Sequence, residues 1–143
     1  MARILRDKVM KVSPDALFRA ITEFENYPKF LPEVVNVKRL SPAKGAKQKV
    51  QFELEVVKRF QYVLEFKIEG KEKVEWKLIE SNFFKTNEGQ WNLKAKGKKE
   101  TEVHYELEVG FGFLVPGFIS KKLTEVSLPK MLESFESQAQ SLE

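Results

Sequence analysis

The chain has 143 residues, of which 42% are hydrophobic and 12% aromatic, and its formal net charge is +4. A chain of this size buries enough apolar surface to fold without a disulfide or a structural metal, and we expect one domain over residues 1–143. The absence of cysteine excludes a disulfide framework, a thiolate zinc site and a cysteine nucleophile. The N-terminus lacks the apolar segment of a signal peptide, and no apolar run reaches the roughly 18 residues that span a bilayer. The chain is therefore expected to be soluble and cytoplasmic.

The N-terminal third predicts a strand, two short helices and a second, weaker strand. Residues 3–12 show a mixed apolar alternation. The Ser-Pro-Asp sequence that begins at Ser13 supplies an N-cap, a residue preorganised for the first helical turn and a negative charge at the positive end of the helix dipole. Two later prolines interrupt the helical pattern, so a short second helix is expected near residues 24–31. The weaker strand covers residues 34–40.

Strict alternation of apolar and polar side chains characterises the middle of the chain. Period-2 alternation indicates strands of an antiparallel sheet with one apolar and one polar face. The alternation runs through residues 50–56, 60–68, 74–78, 90–94 and 103–111. Lysine and glutamate interleave on the polar face instead of forming the basic stripe of a nucleic-acid surface, so no DNA partner is expected.

The alternating runs 50–56 and 60–68 have no glycine, proline, asparagine or aspartate between them. A single strand over both would be roughly 60 Å long at about 3.3 Å per residue, so the chain is expected to fold back. Directly opposed residues of an antiparallel pair point to the same face, so keeping Val56 and Phe60 on one face requires an odd-length connection. We therefore predict a hairpin loop of three or five residues, such as residues 57–59.

The C-terminal segment predicts one long helix. Pro116 and Gly117 mark its expected start. Pro129 is expected to kink it, because the proline ring removes a hydrogen bond and collides with the preceding turn. The apolar residues of the segment approximate one helical stripe. They are Phe118, Ile119, Leu123, Val126, Met131, Leu132, Phe135, Ala139 and Leu142.

A broad apolar sheet face opposite one apolar helix stripe predicts a container. Such a sheet can leave a gap beneath the helix, and because a gap costs packing energy, one that persists suggests a use. A fully packed core is the alternative. We predict that the cavity wall, and with it the ligand contacts, comes from Phe52, Leu54, Val56, Phe60, Tyr62, Leu64, Phe66, Trp76, Leu78, Trp91, Leu93, Tyr105, Leu107, Val109, Phe118, Leu123, Val126 and Met131.

The sequence offers little for covalent chemistry. The single histidine, His104, shares the polar face of its strand with Glu102 and Glu106, and no second histidine exists to serve as a base. We predict no catalytic residue, no metal site and no cofactor. Polar groups that could orient a substrate carbonyl, on the inner face or at a strand end, are Tyr62, Tyr105, Trp76, Trp91, Glu80 and Asn82.

Three stretches carry a resemblance to a known family. They are SPDALFRAITEFENYPKFLP at residues 13–32, FFKTNEGQWNL at 83–93 and GFGFLVPGFISKKLTEVSLPKMLESFESQAQ at 110–140. In this order they resemble the polyketide cyclase/dehydrase-like branch of the START-related (SRPBCC) superfamily. Within that branch the chain is most similar to the group of coenzyme Q-binding proteins and the ribosome association toxin. The resemblance covers nearly the whole chain and departs from the group at Glu33-Val34, where those proteins usually have Trp-Cys.

The resemblance implies an α+β helix-grip fold, in which a seven-stranded curved antiparallel sheet wraps around a long C-terminal helix and two short helices lie between strands 1 and 2. It also implies a binding or carrier protein for a hydrophobic small molecule, such as a lipid, an isoprenoid quinone or a polyketide-like compound. A polyketide cyclase/aromatase-type enzyme and a ribosome-associated regulator are the alternatives. A transient membrane surface is a further expected partner, because FGFLVPGFISKK at 111–122 places apolar side chains beside two lysines.

Overall fold

Most of the residues belong to a seven-stranded antiparallel sheet and an interrupted C-terminal helix. The computed structural model describes residues 2–41 and 45–143. Its strands are β1 (Ala2–Met10), β2 (Val34–Arg39), β3 (Lys47–Val56), β4 (Lys58–Glu69), β5 (Lys73–Ser81), β6 (Phe84–Gly97) and β7 (Glu100–Phe111). Its helical elements are α1 (Pro14–Thr22), a 3₁₀ turn (Phe24–Asn26), α2 (Tyr27–Phe30), α3 (Gly117–Lys122), a π-helical turn (Leu123–Ser127) and α4 (Leu128–Ser141). The sheet order β1-β7-β6-β5-β4-β3-β2, with short helices between β1 and β2, confirms the predicted helix-grip fold.

The predicted start of α1 is confirmed. Ser13 Oγ accepts a hydrogen bond from the backbone N–H of Ala16 at 3.2 Å, and Pro14 occupies the first helical position. The Tyr27 hydroxyl donates to the carbonyl oxygen of Ile21 at 2.5 Å, which ties α2 to the end of α1. The phenol hydroxyl of Tyr27 is therefore already engaged within the protein.

The hairpin between β3 and β4 confirms the predicted parity but not the predicted loop length. Leu54 lies opposite Phe60, so the inner faces of the two strands coincide. The prediction of a three- or five-residue loop is wrong, because Val57 alone separates the strands. Val57 has φ of 68°, in the left-handed region that a β-branched residue rarely adopts. This backbone conformation reverses the chain within one residue, without the glycine that such a turn usually contains.

The C-terminal helix begins at Gly117, as predicted, and its course changes before Pro129. The N–H of Leu128 bonds to the carbonyl of Leu123, five residues back, which makes Leu123–Ser127 a π-helical turn. Proline has no N–H, and its ring collides with a carbonyl of the preceding turn in a regular α-helix. The wider π turn accommodates the proline. The predicted disruption of the helix at Pro129 is therefore a π-helical turn just before it.

The missing side chain of Gly89 lets Trp76 of β5 pack directly onto the backbone of β6. A Cβ atom on Gly89 would lie 2.2 Å from the carbonyl oxygen of Glu106 and 2.7 Å from Cζ2 of Trp76. Gly97 lies near the other end of the same strand. A Cβ atom on Gly97 would have only the Cβ of Glu100 within 4 Å, at 3.9 Å. The close approach is therefore specific to Gly89.

We expect Gly89→Ala to lower the free energy of unfolding by about 1–3 kcal/mol, the usual cost of forcing an extra carbon into a packed region. Gly97→Ala is the matched control and should change that free energy by less than about 0.5 kcal/mol. Urea denaturation followed by circular dichroism measures both. Equal stability of the Gly89→Ala variant and the parent protein would contradict the close packing.

His104 lies on the polar outer face of the sheet and links two neighbouring strands. Its Nδ1 lies 2.6 Å from Asp7 Oδ1 on β1, and its Nε2 lies 2.7 Å from Glu106 Oε1 on β7. The hydrogen bond to Glu106, and then the one to Asp7, raise the pKa of His104 above its ordinary 6.5. The same contact with His104 lowers the pKa of the Glu106 carboxyl below its ordinary 4.5.

The raised pKa of His104 predicts a contribution to stability that depends on pH. Folding favours the protonated imidazole, so the contribution is complete below about pH 6.5 and is lost as the pH rises through the folded-state pKa. His104→Gln should therefore destabilise the protein at about pH 6 and have little effect at about pH 9. Because the chain has one histidine, its NMR titration is a single curve, and a midpoint at or below 6.5 would rule out these contacts.

Candidate functional site

A cavity of about 460 Å³ lies between the inner face of the sheet and the C-terminal helix. Its volume falls within the range of about 300–1,000 Å³ that is typical of small-molecule sites. The wall is mainly aromatic and aliphatic. Its apolar residues are Tyr27, Leu31, Pro32, Val34, Phe52, Leu54, Tyr62, Leu64, Phe66, Trp76, Phe84, Trp91, Tyr105, Leu107, Val109, Phe111, Leu123, Val126, Leu128, Met131 and Phe135.

The exposed lining residues indicate that the cavity opens between the C-terminal helix and the segment that joins α2 to β2. Lys122, Val126 and Lys130 recur every four residues along the helix, and all three are exposed while they line the cavity. Glu33 lies on the opposite side, and its Oε1 accepts a hydrogen bond from Ser127 Oγ at 3.0 Å. This contact spans the opening, so the charged lining groups stand at the rim and not at the inner wall.

Most of the predicted wall residues do line the cavity. They are Phe52, Leu54, Tyr62, Leu64, Phe66, Trp76, Trp91, Tyr105, Leu107, Val109, Leu123, Val126 and Met131. Alternation thus identified the inner face of the sheet. Contact of these residues with a ligand stays a prediction.

The other predicted residues lie outside the cavity wall. They are Val56, Phe60, Leu78, Leu93 and Phe118. The first four pack in or against the hydrophobic core, as Phe60 does on Phe83 with 4.1 Å between ring centroids. Phe118 points outward and is 66% exposed. The π turn explains this difference, because it adds a residue to the helical repeat between Phe118 and the buried half of the helix.

Sequence reasoning missed wall residues from a loop, from two strands and from the C-terminal helix. Leu31 belongs to the segment after α2, where no periodic pattern exists. Phe111 and Phe135 belonged to the apolar patterns of their strand and helix, so that signal could have included them. Asn87 lies on the inner face of β6 and is a polar lining residue that no pattern indicated.

Polar groups reach the inner wall from β4, β5, β6 and β7. Nε1 of Trp76 donates a hydrogen bond to Oδ1 of Asn87 at 3.0 Å. Because an indole N–H can only donate, this bond fixes the amide oxygen toward Trp76 and turns the NH₂ group away from it. Tyr62 on β4 and Tyr105 on β7 contribute phenol hydroxyls. Burial raises the pKa of both phenols, and a charge on Tyr62 would raise the pKa of Tyr105 further, so both hydroxyls stay protonated.

Asn82 and Glu80, two of the remaining polar candidates, do not line the cavity. Asn82 closes the turn after β5, where its Oδ1 accepts a hydrogen bond from the Gln61 backbone N–H at 3.1 Å. Glu80 is exposed near the end of the same strand. Trp91 lines the cavity through its ring, which meets Phe135 edge to face at 5.1 Å between centroids.

Two further kinds of site are absent from residues 2–41 and 45–143. No three or more His, Cys, Asp or Glu side chains in these ranges come together as a metal site requires. None of the helices in the described part of the chain combines the length and the apolar composition needed to span a bilayer.

Solved structures share this architecture at low sequence identity. A START superfamily protein from Mycobacterium smegmatis has a TM-score of 0.82 and 17% identity, covering 99% of this chain and 99% of that chain. The Zhui aromatase/cyclase from a Streptomyces strain has a TM-score of 0.82 and 10% identity, covering 97% and 93%. A STAR-related lipid transfer protein from Xanthomonas axonopodis has a TM-score of 0.79 and 13% identity, covering 96% and 85%. At these identities the similarity shows the fold.

The family assignment comes from a sequence profile. No curated protein matches the chain. The profile of the family described as "Polyketide cyclase / dehydrase and lipid transport" matches residues 10–136, which is most of the chain. The predicted START-related membership is thereby confirmed, and the chain belongs to the polyketide cyclase/dehydrase and lipid transport family.

Proposed function

We propose that the chain binds an apolar small molecule in its cavity and carries or sequesters it, acting as one ligand-binding domain over residues 1–143. The observation that best supports this proposal is the cavity itself, about 460 Å³ of space walled by aromatic and aliphatic side chains. Protein interiors are close-packed, and an apolar void costs stability because the lining atoms lose packing contacts. A space of this size therefore favours an occupant over a packing defect.

The distribution of charge supports a ligand whose buried part is uncharged. The charged lining residues Glu33, Lys122 and Lys130 stand at the opening, and the described inner wall carries only neutral polar groups. Burial of an unpaired charge in such surroundings is costly. A lipid, an isoprenoid quinone or a polyketide-like compound has the required apolar body. The family description, which includes lipid transport, points the same way.

A cyclase-type enzyme is the second candidate. The observation in its favour is the set of hydroxyl and amide groups from Tyr62, Tyr105 and Asn87, which could hold and polarise a carbonyl inside the cavity. The two phenols stay protonated because burial raises their pKa, so neither is a base. His104, the one histidine of the chain, lies on the outer face. Binding is thus better supported than catalysis.

Three expectations stay predictions from the sequence. A closer kinship with coenzyme Q-binding proteins, and a ribosome-associated role, each follow from the resemblance and have no separate support in the structure. A cytoplasmic location fits the absence of cysteine, since reducing compartments do not favour disulfides.

The binding function predicts a single site that a bulky inner side chain blocks. The parent protein should bind the neutral dye Nile red, and Leu107→Trp should weaken that binding by about tenfold or more because the indole fills the cavity. Leu5→Trp makes the same change at an exposed position of β1 and should leave binding unchanged. Fluorescence titration measures the affinities, and thermal melting shows that each variant is folded.

Two outcomes would contradict the binding function. One is equal Nile red affinity in the Leu107→Trp and Leu5→Trp variants. The other is a parent protein that neither binds the dye nor releases an apolar compound when it is extracted with organic solvent and analysed by mass spectrometry.

We further propose that the ligand is exchanged at a membrane surface. The segment between β7 and α3 leaves Phe113 95% exposed and Leu114 82% exposed, and Phe118 follows in the first turn of α3. Large apolar side chains grouped beside lysines are typical of interfacial segments. Lys121 and Lys122 supply that charge, and Lys122 also lines the cavity opening. Docking through this segment would bring the opening close to lipid.

The double variant Phe113→Ser/Leu114→Ser should bind vesicles that contain phosphatidylglycerol at least about tenfold more weakly than the parent protein, because each apolar side chain loses burial in the interface. Ile79→Ser, which removes an exposed apolar side chain from β5, is the matched control. Vesicle co-sedimentation at low and high salt measures binding. Equal binding by the double variant and the control would contradict the membrane proposal.

A further inference from the structure

We infer that the cavity selects a ligand with an uncharged hydrogen-bond acceptor, above all a carbonyl oxygen, on the part of the molecule that reaches the inner wall. This inference rests on the proposed binding function and narrows its ligand class. It depends on three side chains that line the cavity from different strands, namely Asn87, Tyr62 and Tyr105.

Asn87 presents hydrogen-bond donors to the cavity. Its side chain is 8% exposed, and its Oδ1 is occupied by the indole N–H of Trp76. The amide nitrogen has no hydrogen-bond partner among residues 2–41 and 45–143. Within those ranges, every side-chain nitrogen or oxygen that is buried from solvent has a hydrogen-bond partner. The unpartnered amide nitrogen of Asn87 is therefore accessible, and the accessible space beside it is the cavity that Asn87 lines.

Tyr105 and Tyr62 present hydroxyl groups in the same way. Tyr105 is 3% exposed and meets Trp91 edge to face, with 4.8 Å between ring centroids. Tyr62 stacks on Phe52 at 5.3 Å. Aromatic packing therefore fixes both rings. Among the tyrosines of the described chain, Tyr27 alone hydrogen-bonds through its hydroxyl to another residue, so the hydroxyls of Tyr62 and Tyr105 have no partner. By the same reasoning as for Asn87, both hydroxyls face the cavity.

The unpartnered groups of the inner wall favour a hydrogen-bond acceptor on the ligand. The amide nitrogen of Asn87 carries two N–H groups and can only donate, and each phenol can donate through its O–H as well as accept. A hydrocarbon would bury these donors without partners, and a site with buried polar groups discriminates strongly against ligands that leave them unpaired. A carboxylate would lack a cation, because the lysines that line the cavity stand at its opening. A neutral carbonyl oxygen satisfies the donors and brings no charge with it.

The test compares two probes of nearly the same shape, methyl naphthyl ketone and ethylnaphthalene, each in competition with Nile red. The parent protein should prefer the ketone. Tyr105→Phe and Tyr62→Phe should each reduce the ketone-to-hydrocarbon affinity ratio by about tenfold, because a buried donor is removed while the ring remains. The carbonyl infrared stretch of the bound ketone should rise in frequency in the same variants, since its hydrogen bonding weakens.

Tyr27→Phe is the matched control. Tyr27 also lines the cavity, but its hydroxyl already donates to the Ile21 carbonyl, so the affinity ratio should not change. Equal ratios in the parent protein and all three variants, with both probes bound, would overturn the inference and leave the binding function intact. A folded parent protein that binds neither probe would overturn the binding function and this inference together.

Discussion

The packing of Phe135 against the sheet is the contact on which the rest of the structure depends. Its ring centroid lies 5.1 Å from Trp91 on β6, 5.1 Å from Phe30 and 5.3 Å from Tyr27, all in edge-to-face geometry. These contacts hold α4 against the sheet and the short helices at one end of the inner face. The helical turns before α4 lie over the inner face of the sheet beyond this anchor. That face has seven strands and is wider than one helix. The cavity is the space that this mismatch leaves.

The π turn before Pro129 determines the character of the opening. One extra residue in a helical turn rotates the preceding residues by roughly 100° relative to a regular helix. The side chains that reach the rim from this stretch include Val126, which is exposed, and Ser127, which bonds to Glu33. A single hydrogen bond at a solvated rim contributes little to stability, and it shares no atoms with the Phe135 contacts. The rim and the anchor of the helix therefore rest on separate contacts.

Alternation predicted the inner wall because a strand allows each side chain only two directions. Phe52 and Leu107 could point only to one face or the other, and the apolar pattern decided which. Leu31 could not be assigned in this way, because burial of a loop residue depends on where the loop lies in space. Phe118 was misplaced because a proline-induced π turn changes the helical phase, which a stripe of fixed period cannot represent. Asn87 lies before the strict alternation of its strand begins.

Asn87 also distinguishes this cavity from an unfilled core. A buried amide in a packed core costs free energy unless its oxygen and its nitrogen are both paired. Here the oxygen is paired with the indole of Trp76, and Gly89 has no side chain that would keep that indole off the backbone of β6. A phenylalanine in place of the tryptophan would fill much of the same space without orienting the amide. Orienting the amide matters physically only if some group accepts a hydrogen bond from its nitrogen. Within the described chain that nitrogen faces the cavity, so the acceptor would belong to a molecule in the cavity.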